Sequence, residues 1–157
     1  MLVRLSFPVC LCLGLLFGVC TSALAQVSVS DGWARATFPM AKTGAIYLTL
    51  SNQSDSKLHL LSVKTPSDIA KEVQIHTTEM TDGMMRMRQL KNGIVIAPHS
   101  EHEFVPGGDH IMLIGLSKGL EKGTRIPLTL LFADGVEHEI NVEVKHQDSG
   151  MGTKSHH

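Results

Sequence analysis

Cysteine is missing from most of this chain. The sequence holds three cysteines, all within its first twenty residues: Cys10, Cys12 and Cys20. They lie in an apolar run, residues 5–20, that follows Arg4. After this run comes Ala23-Leu24-Ala25, a small-x-small pattern that signal peptidase recognises. Together these features predict a signal peptide over 1–25 and cleavage before Gln26. Lipid attachment would require Cys20 as the first mature residue, and the residues before it are a poor match. The mature chain is therefore expected to lack both disulfides and thiolate metal ligands.

Other absences exclude whole classes of function. No basic stripe exists and the formal charge is −1 at pH 7, so nucleic acid is not an expected partner. There is no Gly-x-Ser-x-Gly elbow, no His-Glu-x-x-His pair and no glycine-rich phosphate loop. We therefore expect a binding protein and not an enzyme. After the export signal, no apolar run is long enough to predict a membrane span.

Long helical periodicity is absent too, and short apolar segments separated by turn signals take its place. Ile46–Leu50 is one such segment, while residues 81–83 and 133–135 have the composition of hairpin turns. Short strands with turns every eight to twelve residues predict an antiparallel sandwich or barrel. We expect one domain over 26–146, and a flexible tail over 147–157, where glycine, serine and histidine dominate.

Histidine and methionine are what the chain supplies in place of cysteine. All nine histidines and seven of the eight methionines follow the predicted signal. Four of them suit a soft metal: His76, Met87, His110 and Met112. In an extended strand, His110 and Met112 project from one face, roughly 7 Å apart. Thioether sulfur favours monovalent copper, whereas zinc prefers cysteine, histidine and carboxylate, so this set predicts a Cu(I) site.

The position of His76 relative to Met87 depends on where the intervening hairpin turns. A turn centred between Thr81 and Asp82 would set the two residues opposite each other, with Cβ atoms about 5 Å apart. A two-residue Asp82-Gly83 loop would shift the register by two and leave them diagonal on the same face. Either register permits a shared metal ion.

Each of these residues also has an ordinary structural explanation. Met112 could be core packing, and His76 a surface histidine. His99 and His102 lie beside glutamates and are interpreted as a solvated strand edge in preference to a weak zinc or cupric site. His59 and His138 are interpreted as exposed strand positions. Met84 and Met85 are interpreted as packing or flanking residues and not as ligands. Met40 and Met80 are only secondary candidates for a place near the site, and the sequence does not show whether either assists it. Four residues could hold a second metal ion or form only a polar end: His146, Met151, His156 and His157.

With these residues assembled, the sequence resembles the periplasmic copper chaperone family called PCuAC over nearly its whole mature length. The resemblance is carried by segments 32–35, 43–50, 73–76 and 83–88, and is strongest over 104–113. The family signature is a His, ten residues, a Met, about twenty-one residues and then His-x-Met. His76 and Met87 enclose ten residues here, while Met87 and His110 enclose twenty-two, one more than usual.

The resemblance implies a Greek-key, cupredoxin-like β-sandwich that holds Cu(I) through His76, Met87, His110 and Met112. It further implies a periplasmic carrier that delivers copper to an accepting protein, either the cytochrome c oxidase subunit with the binuclear copper centre or an assembly factor of that oxidase. Tails of some relatives bind Cu(II), which favours a second copper site in the tail. We expect a monomer. The alternatives are a copper buffering or resistance protein, a copper-dependent redox enzyme and a plain sandwich adhesion or scaffold module.

Overall fold

The computed structural model describes residues 27–146, and within them all regular structure is β-strand. The strands are β1 (Val27–Arg35), β2 (Thr43–Asn52), β3 (Leu58–Lys64), β4 (Ala70–Thr81), β5 (Met84–Gln89), β6 (Ile94–Ile96), β7 (Ser100–Phe104), β8 (His110–Leu116), β9 (Arg125–Phe132) and β10 (Glu137–Lys145). Over the same range, no helix is long and apolar enough to cross a membrane. The predicted export signal and the tail over 147–157 lie outside the described residues.

The strands form one ten-stranded sheet in the order β5-β4-β8-β2-β1-β10-β9-β3-β6, with β7 paired to β2 off this path. β3 contacts β4 and β6 contacts β7, so the sheet folds back on itself into a sandwich. The all-β prediction is confirmed, with one difference in detail. β1 and β10, the first and last described strands, run parallel through Trp33–Arg35 and Glu143–Lys145, so the sheet is mixed. Alternation of apolar residues is the same in both strand directions and could not reveal this pairing.

The core fills the space between the folded halves of the sheet. Alternate residues of β2, β8 and β9 point into it, including Ile46, Leu48, Ile111, Leu113 and Leu128, all of them almost fully buried. Burial of one such side chain contributes about 1.5–3 kcal/mol. The strands beside β8 are thereby fixed in register, and their other face is left to carry the candidate site.

The β4–β5 hairpin turns through a two-residue loop. Asp82 and Gly83 have φ values of 51° and 75°, the left-handed conformation at both positions that an Asp-Gly type I′ turn uses. As a result His76 pairs with Gln89, and Met87 pairs with Thr78. Of the two registers that the sequence allowed, the structure has the diagonal one.

Candidate metal centre

The two candidate histidines lie opposite each other on neighbouring strands. The antiparallel register of β4 and β8 pairs His76 with His110 and Gln74 with Met112. Directly opposed residues project from the same face, so all four side chains share one side of the sheet. The His76 and His110 ring centroids are 5.8 Å apart. This face is the one turned away from the core, since the neighbouring Ile111 is fully buried on the other side.

Met87 joins this face from the edge strand β5. It opposes Thr78, two residues along β4 from His76. A cavity of about 300 Å³ opens beside it and is lined by Met87, His110 and Met112 among others. The structure therefore brings three of the four predicted ligands to one cavity. His76 is not part of the cavity wall and approaches the group through its contact with His110.

The ring of His110 is held in one orientation by the loop before β8. Its Nδ1–H donates a hydrogen bond to the backbone carbonyl of Gly108 over 3.0 Å. The residue is only 7% exposed. A hydrogen bond at Nδ1 fixes the tautomer in which Nε2 carries a lone pair, as is usual for metal-binding histidines. Nε2 of His110 is thus the atom available as a donor.

The ring of His76 is fixed in the opposite sense. Its Nε2–H donates to Oε1 of Gln74 over 2.7 Å, and the Gln74 amide nitrogen donates in turn to Oε1 of Glu72 over 2.6 Å. The remaining nitrogen, Nδ1 of His76, is buried and has no hydrogen-bond partner among the described residues. A buried polar atom without a partner is uncommon and requires an explanation. Metal binding by the lone pair of Nδ1 would be such an explanation.

Electrostatics favour the metal-binding form of the same ring. Burial lowers the pKa of His76 below its usual 6.5, and the neighbouring His110 lowers it further. His76 is therefore neutral at neutral pH, which leaves its Nδ1 unprotonated and free to bind a cation. Within residues 27–146, no three His, Cys, Asp or Glu side chains gather into a metal-binding group. The four candidate donors are two imidazoles and two thioethers, a soft set of the kind that suits monovalent copper.

Sequence reasoning about donors did not single out the cavity wall formed by β1 and β2. Arg35 and Tyr47 both line the cavity, and Trp33 packs on Tyr47 with ring centroids 4.7 Å apart. Burial raises the pKa of Tyr47, while the charge of Arg35 and its hydrogen bond oppose that rise. The only available signal was alternation along β2, which places Tyr47 on the face opposite the core residues Ile46 and Leu48.

Apart from the candidate ligands, no histidine or methionine among residues 27–146 lines the cavity. His102 is not the solvated edge residue that was expected: its ring packs edge-on against Phe104, and its Nε2 lies 3.1 Å from Oδ2 of Asp109 without the orientation for a hydrogen bond. This contact depends on closure of the β7–β8 loop, which sequence alone does not show. His99 is exposed, as expected, whereas His59 and His138, which were expected to be exposed, are half-buried. Met40 is strongly exposed on the β1–β2 loop.

Comparison with known structures defines the class of protein first. A Cu(I)-bound solution structure titled CuI-DR1885, from Deinococcus radiodurans, is 28% identical with a TM-score of 0.63, covering 81% of this chain and 83% of that one. A copper-bound PCuAC domain from PmoF2 is 24% identical with a TM-score of 0.62, covering 79% of this chain and 96% of that domain. The fold is thus the cupredoxin-like β-sandwich of PCuAC domains.

Sequence comparison then gives the family. The model of the LpqE-like family, described after a lipoprotein, matches residues 27–144, and the chain belongs to this family. Protein Lxx21020 of Leifsonia xyli subsp. xyli, itself named as a lipoprotein, is 34% identical over 119 residues, which is 76% of this chain and 69% of that protein. Protein RP573 of Rickettsia prowazekii is 29% identical over 125 residues, 78% of this chain and 68% of that protein.

Proposed function

We propose that this protein binds Cu(I) through His76, Met87, His110 and Met112 and carries it to a copper-accepting protein. The observation that carries the proposal is the pair of opposed imidazoles. Each ring has one nitrogen committed to a protein acceptor, and the other nitrogen of His76 is buried without a partner. Two methionines on the same face add the thioethers that favour the monovalent ion. The similar structure of Cu(I)-bound DR1885 supports the same metal and oxidation state.

The donor types also suit a carrier that must release its cargo. Imidazole and thioether are neutral ligands, so thiolates of an acceptor can replace them one at a time and draw copper forward. Met87 is 60% exposed on an edge strand, while His110 is buried on a central one. Met87 is therefore the ligand we expect an acceptor to displace first. No bond-breaking chemistry is assigned to the protein.

The destination follows from the family resemblance. PCuAC chaperones are associated with the binuclear copper centre of cytochrome c oxidase, so we propose an oxidase subunit or its assembly factor as the acceptor. The compartment we propose is the periplasm, and a family named after a lipoprotein is consistent with export. The alternative role is copper buffering or resistance. Its distinguishing feature is the tail, where His146, Met151, His156 and His157 would hold a second ion as Cu(II).

The test is an anaerobic Cu(I) titration of residues 26–157 against a competing chelator. We expect one tightly bound equivalent, weakened at least about a hundredfold in His110→Ala and Met112→Ala. His138→Ala, which removes a partly exposed histidine from β10, is the matched control and should bind as the parent does. Weak binding that ignores all three substitutions would contradict the proposal. A chain that ends at Lys145 distinguishes a carrier from a buffer when its copper transfer to an oxidase copper-binding fragment is measured. A carrier should still transfer copper without the tail, whereas a buffer should depend on the tail.

A further inference from the structure

The β4–β5 hairpin has a methionine-rich face of which the candidate centre uses only Met87. Met80 and Met85 are directly paired across the hairpin, and Met87 is the next residue of β5 on the same side. Their exposed fractions are 68%, 62% and 60%. Methionine ordinarily fills gaps in an apolar core. These three contribute to no core, so packing does not explain their presence.

Charge is kept to the opposite face of the same hairpin. Glu79 pairs with Arg86 in the strand register and forms a salt bridge with Arg88. Alternation along the strands therefore separates three charged side chains from three thioethers. Met84 is on the charged side, paired with Thr81. Its exposure of 55% is similar to that of the others, which makes it a natural control.

The turn makes Met80 and Met85 one of the more closely spaced pairs of the ladder. With a two-residue loop, Thr81 and Met84 are the hydrogen-bonded pair that closes the hairpin. Met80 and Met85 are then a non-hydrogen-bonded pair, the type whose Cα atoms lie about 4.5 Å apart. The two thioether sulfurs can meet above the strands at the hairpin tip. Soft sulfur donors in this arrangement select Cu(I) over harder cations.

We propose that Met80 and Met85 form a second, weaker Cu(I) site that loads and unloads the candidate centre. Met87 lies one step of roughly 7 Å further along β5, on the way to His110 and Met112. In the transfer step a copper–sulfur bond to Met85 breaks as one to Met87 forms. Copper remains monovalent throughout, so no oxidant or reductant takes part. Binding at the tip stands on its own geometry, while the transfer step rests on the proposed function.

Methionine-methyl NMR tests the site directly. The full exported chain, labelled with ¹³C at the methionine methyl groups, is titrated anaerobically with Cu(I). The first equivalent should shift Met87 and Met112, and the second should shift Met80 and Met85 together, with Met84 unchanged. The inference is overturned if Met80 and Met85 remain unmoved through the second equivalent, or if Met84 moves as much as they do.

Paired variants separate this site from the main centre. The double substitution Met80→Leu/Met85→Leu keeps the apolar character but removes both sulfurs, and Met84→Leu is its control. We expect the double variant to keep first-site affinity and to take up Cu(I) from a chelator about tenfold more slowly. An unchanged uptake rate would refute the loading role. If Cu(I) still shifts the Met80 and Met85 methyl signals in His110→Ala, the tip site is supported even when the main centre fails its own test. If only Met80 and Met85 show no Cu(I) binding, the proposal for the main centre is unaffected.

Discussion

The two sides of the candidate centre differ in how they are attached to the fold. His110 and Met112 belong to β8, a strand paired on both edges, whose alternate residues Ile111 and Leu113 lie in the core. Met87 belongs to β5, which is paired with β4 alone and is exposed along most of its length. One side is held by burial and two hydrogen-bonded neighbours. The other is held by a single ladder and a two-residue turn.

This difference fits the two demands on a metal carrier. Retention needs donors whose positions are fixed before the metal binds, because ordering them afterwards costs affinity. Release needs at least one donor that a competing ligand can reach and displace. The central strands meet the first demand and the edge hairpin the second. We therefore expect substitutions on β8 to affect stability and copper affinity, and substitutions on β5 to affect mainly the rate of copper release.

The largest expected effect is on folding. Leu113→Ala empties a fully buried position of β8 and should lower the free energy of unfolding by about 2–5 kcal/mol. Met85→Ala on the exposed hairpin should change it by less than about 0.5 kcal/mol. Urea denaturation of the two metal-free variants measures both values. Equal losses would show that the hairpin is as firmly packed as the central strand.

The next effect is on copper release. Met112→Ala removes a donor from the central strand β8, and Met87→Ala removes one from the edge strand β5. We expect Met112→Ala to lower equilibrium affinity more, and Met87→Ala to alter mainly the rate at which a thiolate competitor removes copper, by about tenfold. Stopped-flow transfer to a competing chelator gives the rates, with Met84→Leu as control. Identical rate and affinity changes in both variants would remove the proposed division of roles.

Sequence pattern predicted the elements of this centre better than their surroundings. The period of two in His110-Ile111-Met112 was enough to place both donors on one face, and the Asp82-Gly83 dipeptide allowed the register that the structure has. Long-range relations were not predictable. The parallel β1–β10 pair, the contact of His102 with Asp109 and the Tyr47 wall of the cavity all depend on how distant strands close, which local alternation does not encode.

A smaller effect is expected from the residue that orients His76. Oε1 of Gln74 accepts a hydrogen bond from Nε2–H of His76, and the Gln74 amide nitrogen donates one to Glu72. Loss of such an outer partner lowers the metal affinity of a site about 10- to 100-fold. Because Glu72, the last residue in this series of hydrogen bonds, is exposed, we expect Gln74→Ala to lower the affinity by about tenfold. Chelator competition measures the affinity. Gln89→Ala is the matched control, because Gln89 lies opposite His76 on β5 and its side chain forms no hydrogen bond with the ring. A Gln74→Ala variant with parental affinity would show that the orientation of His76 does not matter.

The smallest effect is a pH dependence of stability in the metal-free protein. Burial, together with His110, lowers the pKa of His76 in the folded state below 6.5. His76 therefore binds a proton more readily in the unfolded chain than in the folded one. Its contribution to stability is complete above pH 6.5 and is lost as the pH falls below 6.5. Thermal melts of the metal-free protein between pH 7.5 and about pH 5 should show a fall in Tm that is smaller in His76→Gln. His138→Gln changes a partly exposed histidine on β10, away from the candidate centre, and should retain the parental slope. If His76→Gln keeps the full pH dependence as well, the neutral state of His76 contributes nothing to stability. The absence of a hydrogen-bond partner at Nδ1 would then need an explanation other than metal binding.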